Sequence, residues 1–172
     1  MNSERSGIIT FKGKPFTLVG PEIKVGDKAP DFKVVDNGLA PVTLASYSGK
    51  IKVISAVPSL DTPVCDTETR RFNQEAAALS EDIIIWTIST DLPPTQKRWC
   101  GAAGVDRVKV VSDALNAEFG EKYGLLIKER RFLRRAVFVV NRDGVLTYVA
   151  YMLHNGLEPD YDEVIAAAKA AL

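Results

Sequence analysis

Apolar positions along the chain change their period several times, and each change marks an element. Between Ile8 and Val19, residues Ile9, Phe11, Phe16 and Leu18 alternate with polar ones about Gly13-Lys14. That is the pattern of a β-hairpin with a glycine-first turn. The stretch from Val25 to Phe32 is rich in turn residues and reads as a connector. A different rhythm then begins. Lys52 to Ala56 is a β-branched run that predicts a strand, and Thr67 to Leu79 places Phe72, Ala76 and Leu79 on one helical face. Strands are predicted again at Ile83 to Ser89 and Val108 to Val111, each followed by a helix, at Pro94 to Ala102 and at Leu115 to Lys122. Ala136 to Val140 and Val145 to Ala150 read as two strands joined by the turn Asn141-Arg142-Asp143-Gly144, and Asp160 to Leu172 as an alanine-rich closing helix.

Strands alternating with helices imply a parallel sheet core, and the late hairpin adds an antiparallel edge. The expected fold class is α/β, a thioredoxin-like mixed sheet flanked by helices with an N-terminal β-hairpin extension. Pattern alone also admits a flavodoxin-like sheet. No internal repeat is visible, and 172 residues suit one domain over 1–172, with 1–24 as the hairpin extension. Neither the Rossmann nor the P-loop glycine pattern is present.

Charge narrows the partners. Twenty-two basic residues offset 22 acidic ones, without the basic excess of a general nucleic-acid binder. No apolar run reaches the length of a bilayer span, and the first residues lack the apolar stretch of a signal peptide. A soluble, cytoplasmic protein with no membrane partner is therefore expected. Two cysteines, Cys65 and Cys100, and one histidine, His154, are too few soft ligands for a structural zinc site. Taken as counts, the cysteines read as two small apolar side chains in a core.

Position changes that reading for Cys65. In Pro58-Ser59-Leu60-Asp61-Thr62-Pro63-Val64-Cys65, Thr62 is a good helix N-cap and Pro63 suits the first helical position. Cys65 then falls in the first turn, where backbone N–H groups lack partners and the helix dipole is positive. Both features favour a thiolate over a thiol. Thr62, three residues earlier, is within reach of the sulfur. Asp66 and Glu68 in the same turn read as ordinary first-turn acids and oppose a second anion, so a cation must come from the fold. Arg70, Arg71, Arg134 and Arg135 are the candidates.

Proline, three residues, threonine, two residues, cysteine is the active-site signature of peroxiredoxins, here Pro58, Thr62 and Cys65. The wider run from Pro58 to Asn73 resembles the bacterial thiol peroxidase subfamily of atypical two-cysteine peroxiredoxins. The likeness continues through Ser89-Thr90-Asp91-Leu92-Pro93, through Gln96 to Ala102, and at Arg135 to Val139 and Glu158 to Tyr161. The resemblance implies that Cys65 is the peroxidatic cysteine, attacking a hydroperoxide to become a sulfenic acid. It implies that Thr62 hydrogen-bonds thiolate and peroxide, that Arg135 stabilises the thiolate and polarises the peroxide, and that Pro58 shields the sulfur. It further implies that Cys100 resolves the sulfenic acid as an intrachain Cys65–Cys100 disulfide, that thioredoxin recycles it, that no cofactor or metal takes part, and that the chain forms a homodimer. Local unwinding around both cysteines is expected on oxidation, since two helical cysteines rarely meet disulfide geometry as they stand.

Other features carry competing readings. A pairing of His154 with Cys65 would suggest a cysteine hydrolase, but no protease signature surrounds Cys65. Threonine at position 62 removes a Cys-x-x-Cys motif and with it thioredoxin-type disulfide exchange. The basic run from Lys128 to Arg135 reads as a solvated loop entering a strand, Arg135 apart. That run and the stretch from Met152 to Leu157 depart from the family's usual composition. The same disulfide chemistry would also serve a non-enzymatic redox sensor.

Overall fold

The computed structural model describes residues 2–172. Two sheets organise it. A four-stranded sheet has the order β1 (Glu4–Phe11), β2 (Lys14–Val19), β8 (Leu126–Ile127), β9 (Phe132–Leu133). A seven-stranded sheet has the order β11 (Leu146–Tyr151), β10 (Ala136–Val140), β5 (Ile51–Ala56), β6 (Ile83–Ser89), β7 (Lys109–Ser112), β3 (Lys33–Val35), β4 (Pro41–Thr43). Strands β5, β6 and β7 run parallel, while β10 is antiparallel to both β5 and β11. The helices are α1 (Pro63–Ala76), α2 (Pro93–Ala103), α3 (Glu118–Lys122) and α4 (Tyr161–Ala170). This is the mixed, thioredoxin-like sheet that the alternation predicted, and the flavodoxin-like alternative falls with the antiparallel β10.

The central strands alternate across the sheet and feed two cores. On one face Ile54, Trp86, Ile88 and Phe138 meet Phe32, Phe119 and Tyr123. On the other Val53, Ile85, Val137 and Val139 meet Cys65 and Phe72 of α1, Trp99 of α2, and Val164 and Ala168 of α4. Phe72 is fully buried, with its ring edge-on to Tyr161 at 5.3 Å between centroids. Burial of one such side chain contributes about 1.5–3 kcal/mol, so α1 is held mainly by its inward face.

Some expectations shift. The N-terminal turn lies at Lys12-Gly13, one residue earlier than the alternation suggested, because Phe11 already pairs with Lys14. Both turn residues have positive φ, 49° and 76°, which suits the twist of a two-residue hairpin. Phe11 is consequently 58% exposed and stacks on Phe16 rather than entering a core. The connector after β2 forms no regular element, yet Phe32 within it packs edge-on to Phe119 at 4.8 Å and to Trp86 at 5.8 Å. Strands β3, β4, β8 and β9 span only two or three residues each, too short to show a period.

Candidate active site

Helix α1 begins as the residue types require. Thr62 is its N-cap in extended conformation and Pro63 occupies the first turn. The Thr62 carbonyl accepts from Asp66 N at 2.9 Å, the first bond of the helix. Cys65 lies in that first turn and is fully buried. The Thr62 hydroxyl departs from expectation. It donates to the Ser59 carbonyl at 3.0 Å, caps no helical N–H, and so secures the turn before the helix instead of touching the sulfur. Pro58 is buried in the same loop.

The cation is Arg135. Its Nη2 donates to Cys65 Sγ at 3.0 Å. The same nitrogen donates to the Asn155 carbonyl at 2.9 Å, and Nε donates there at 3.1 Å. The Arg135 backbone N–H donates to Asn155 Oδ1 at 2.9 Å. Nη1 pairs with Glu68, whose other oxygen accepts from Ser55 Oγ at 2.7 Å. Arg135 is 1% exposed and Glu68 is fully buried. Burial works against the Arg135 charge, but Glu68 and Cys65 outweigh it and hold the guanidinium more firmly protonated than usual. Burial pushes the Glu68 carboxyl above the ordinary range, against the pull of Arg135 and Ser55. A buried ion pair of this kind does not need to add stability. What it supplies here is a guanidinium with one fixed direction, toward the sulfur.

The remaining arginine candidates do other things. Arg70 pairs with Asp66 at 2.8 Å and Arg71 with Glu75 at 2.9 Å along the helix surface. Arg134 is 4% exposed, which departs from the solvated loop expected of its run. Its Nε donates to the Met152 carbonyl at 3.0 Å, and its guanidinium stacks over Tyr151. Lys128 to Arg131 are exposed as expected. His154 is exposed in the loop after β11, while Cys65 Sγ takes its hydrogen bond from Arg135.

Cys100 stands apart from this cluster. It lies near the end of α2, which stops at Gly104 in the left-handed conformation with φ 66°. Its thiol is half-buried, with Asn37 Nδ2 donating to Sγ at 3.9 Å, beside a cavity of about 320 Å³ lined in part by Asp36, Asn37 and Tyr47. Burial raises its pKa, partly offset by Asn37. Both cysteines are free thiols.

Asn155 was not singled out from sequence, and Glu68 was read as an ordinary first-turn acid, whereas it lies beyond the first turn of α1 and is fully buried against Arg135. Glu68 had a usable signal, because it lies three residues after Cys65 and shares the inward face with Thr69 and Phe72. Asn155 had none; only the fold brings the loop after β11 onto Arg135. Among the described residues no cluster of His, Cys, Asp and Glu is arranged to hold a metal ion, and no helix is long and apolar enough to cross a membrane.

Comparison with known proteins points the same way. The Redoxin family model matches residues 24–165, leaving the N-terminal hairpin outside the match. The thiol peroxidase of Halalkalibacterium halodurans is 54% identical over 164 residues, 95% of this chain and 98% of that protein. The thiol peroxidase of Bacillus subtilis is 52% identical over 162 residues, 94% of this chain and 96% of that one. Among solved structures, a peroxiredoxin-like protein from Aquifex aeolicus is similar with a TM-score of 0.89 and 40% identity, covering 99% of each chain. A thiol peroxidase from Chromobacterium violaceum, at 19% identity, shares the fold with a TM-score of 0.82 over 94% of this chain and 95% of that one.

Proposed function

The chain belongs to the redoxin family as a thiol peroxidase of the peroxiredoxin type, and from that premise we propose that Cys65 is its peroxidatic nucleophile and Cys100 its resolving thiol. The observation that carries the reading is the buried Arg135 guanidinium at 3.0 Å from the buried Cys65 Sγ. The Cys65 thiolate attacks one peroxide oxygen, and the O–O bond breaks. The sulfur becomes a sulfenic acid, and the leaving oxygen takes a proton to depart as water or an alcohol. Arg135 stabilises the thiolate and the charge that develops on the peroxide. Thr62 turns its hydroxyl from Ser59 toward the peroxide, and Pro58 closes the floor of the pocket.

Cys100 then attacks the sulfenic sulfur, water leaves, and an intrachain disulfide forms. Two electrons from thioredoxin restore both thiols. The separate placement of the cysteines supports the expected unwinding of the first turn of α1 and of the end of α2. Hydrogen peroxide and organic hydroperoxides are the substrates, without cofactor or metal, in the cytoplasm.

We also propose a homodimer. Exposed Leu92, Leu115 and Leu153 follow β6, β7 and β11, three strands that run with β5 and so end on the edge of the sheet that carries Cys65. Residues 1–172 act as one domain, with 1–24 as an extension tied on where β2 pairs with β8.

The test is hydroperoxide consumption with thioredoxin, thioredoxin reductase and NADPH. Sustained turnover that Cys65→Ser abolishes is expected, and Cys100→Ser reacts once but does not recycle. Wild-type oxidation without sustained turnover would reject the enzyme in favour of a redox sensor.

A further inference from the structure

The loop that delivers Cys65 is held from outside by one carboxylate. Asp91 follows β6 and precedes α2. Its Oδ1 accepts from Ser59 Oγ at 2.7 Å, and its Oδ2 accepts from Leu60 N at 2.8 Å and from Ser89 Oγ at 2.7 Å. Its own N–H donates to Ser89 Oγ at 3.2 Å, and its carbonyl accepts from Ser112 Oγ at the end of β7. Gln96 of α2 is fully buried, and its Nε2 donates to Ser89 Oγ at 3.0 Å and to the Val111 carbonyl at 2.9 Å. The Asp91 carboxylate thus ties the loop after β5 to the end of β6, while its backbone carbonyl takes in β7 and Gln96 joins Ser89 to the helix that carries Cys100.

Ser59 passes this constraint on. Its carbonyl accepts from Thr62 N at 3.2 Å and from the Thr62 hydroxyl at 3.0 Å, and its Oγ accepts from Asp61 N at 3.3 Å. The turn so formed sets Thr62, the N-cap that starts the helical turn holding Cys65. Hydrogen bonds to a charged acceptor are each worth more than neutral ones, and two of them bind this loop to Asp91.

We infer that Asp91 is a positioning residue for Cys65: it latches the loop from Ser59 to Thr62 onto the β6–α2 segment, and its release frees the sulfenic acid of Cys65 to meet Cys100. The inference rests on Cys65 being peroxidatic and Cys100 resolving. Holding the latch favours reaction with peroxide, where sulfur, Thr62 and Arg135 must be aligned. Opening it favours the unwound form in which the disulfide closes. Weakening the latch therefore slows the first step and speeds the second, a population shift between two forms.

The experiment separates the two steps. In a Cys100→Ser background, rapid mixing with hydrogen peroxide measures reaction at Cys65, and Asp91→Asn is expected to slow it about tenfold, as for loss of one hydrogen bond to a charged group. In the chain with both cysteines, mass spectrometry measures the peroxide concentration at which half of Cys65 is overoxidised to sulfinic acid. That concentration is expected to rise, because disulfide closure outruns the second oxidation. General destabilisation would lower the melting temperature without raising that concentration. Ser59→Ala removes one loop contact and should shift both readouts less in the same directions; it decides the matter if Asp91→Asn does not fold. Both readouts unchanged, in a chain whose wild type reacts normally, would overturn the role of Asp91. A wild type that does not react with peroxide would instead overturn the reading of Cys65.

Discussion

Cys65 and Cys100 pack against the same apolar cluster on one face of the central sheet, in helices that each begin with proline after a parallel strand. Their polar surroundings share nothing. Cys65 is fully buried, and its sulfur takes a hydrogen bond from a guanidinium fixed by Glu68 and Asn155. Cys100 is half-buried, faces a cavity, and has Asn37 at 3.9 Å as its polar neighbour. Both thiols are withdrawn from solvent, but only Cys65 has a charged group against its sulfur. The difference matches the proposed roles, a nucleophile beside a fixed cation and a resolving thiol without one.

The strongest way to break this contrast is to remove its charge. Arg135→Met takes the donor from Cys65 and leaves Glu68 buried without its cation. Reaction with hydroperoxide is expected to fall about a thousandfold, near the upper range for loss of one charge-stabilising donor, measured by rapid mixing. Denaturant unfolding should show a loss of about 3–5 kcal/mol, the usual effect of stranding one member of a buried pair. An activity within threefold of wild type would mean that Cys65 owes nothing to Arg135.

Stability and chemistry can then be separated. Adding Glu68→Leu to Arg135→Met removes the stranded carboxyl as well. Most of the lost stability should return, about 3 kcal/mol, while activity stays as low as in the single variant. Recovery of both would make the pair a packing feature. Recovery of neither would point to a cavity at Ser55.

Much of this was legible before the fold was known, and the reason differs from element to element. Strands β6 and β10 have the predicted limits because long apolar runs in a central sheet have only one use. The first turn of α1 was readable from Thr62, Pro63 and Cys65, since proline at a helix start is a local signal. The direction of the Thr62 hydroxyl was not, because Ser59 competes for it within the same turn. Charge alone left Arg135 one of four arginines; the family resemblance singled it out, and the fold sets its guanidinium on the sulfur. Glu68 was misread as a first-turn surface acid; it stands one turn further in, and only depth gives it a role at the site. Asn155 reaches Arg135 across a separation that no periodicity records.

Glu68 sharpens the comparison further, because position and charge pull in opposite directions there. Its carboxylate steers the guanidinium but also competes with a thiolate for it. Glu68→Gln keeps an oxygen for Arg135 and an amide that Ser55 can accept from, so activity should stay within about threefold of wild type. Glu68→Ala releases the guanidinium and should cost about tenfold. If both variants fell equally, the negative charge itself, and not the position it imposes, would be what matters.

The smallest effect tests the other side of the contrast. In a Cys65→Ser chain, Cys100 is the one remaining thiol, and iodoacetamide reports its thiolate. Burial raises its folded-state pKa, so at any pH below that value the thiolate fraction is smaller than in an unfolded chain. The pH at which alkylation reaches half its maximal rate should therefore lie above that of the same chain in urea, with the native rate at pH 7 at least about threefold slower. Because the native thiol keeps its proton longer, the folded state also loses stability relative to the unfolded one as pH rises past the ordinary thiol range. Equal midpoints in native and unfolded chains would mean that Cys100 is as ready to ionise as any free cysteine. The asymmetry between the two thiols would then come from Arg135 alone, with nothing restraining Cys100.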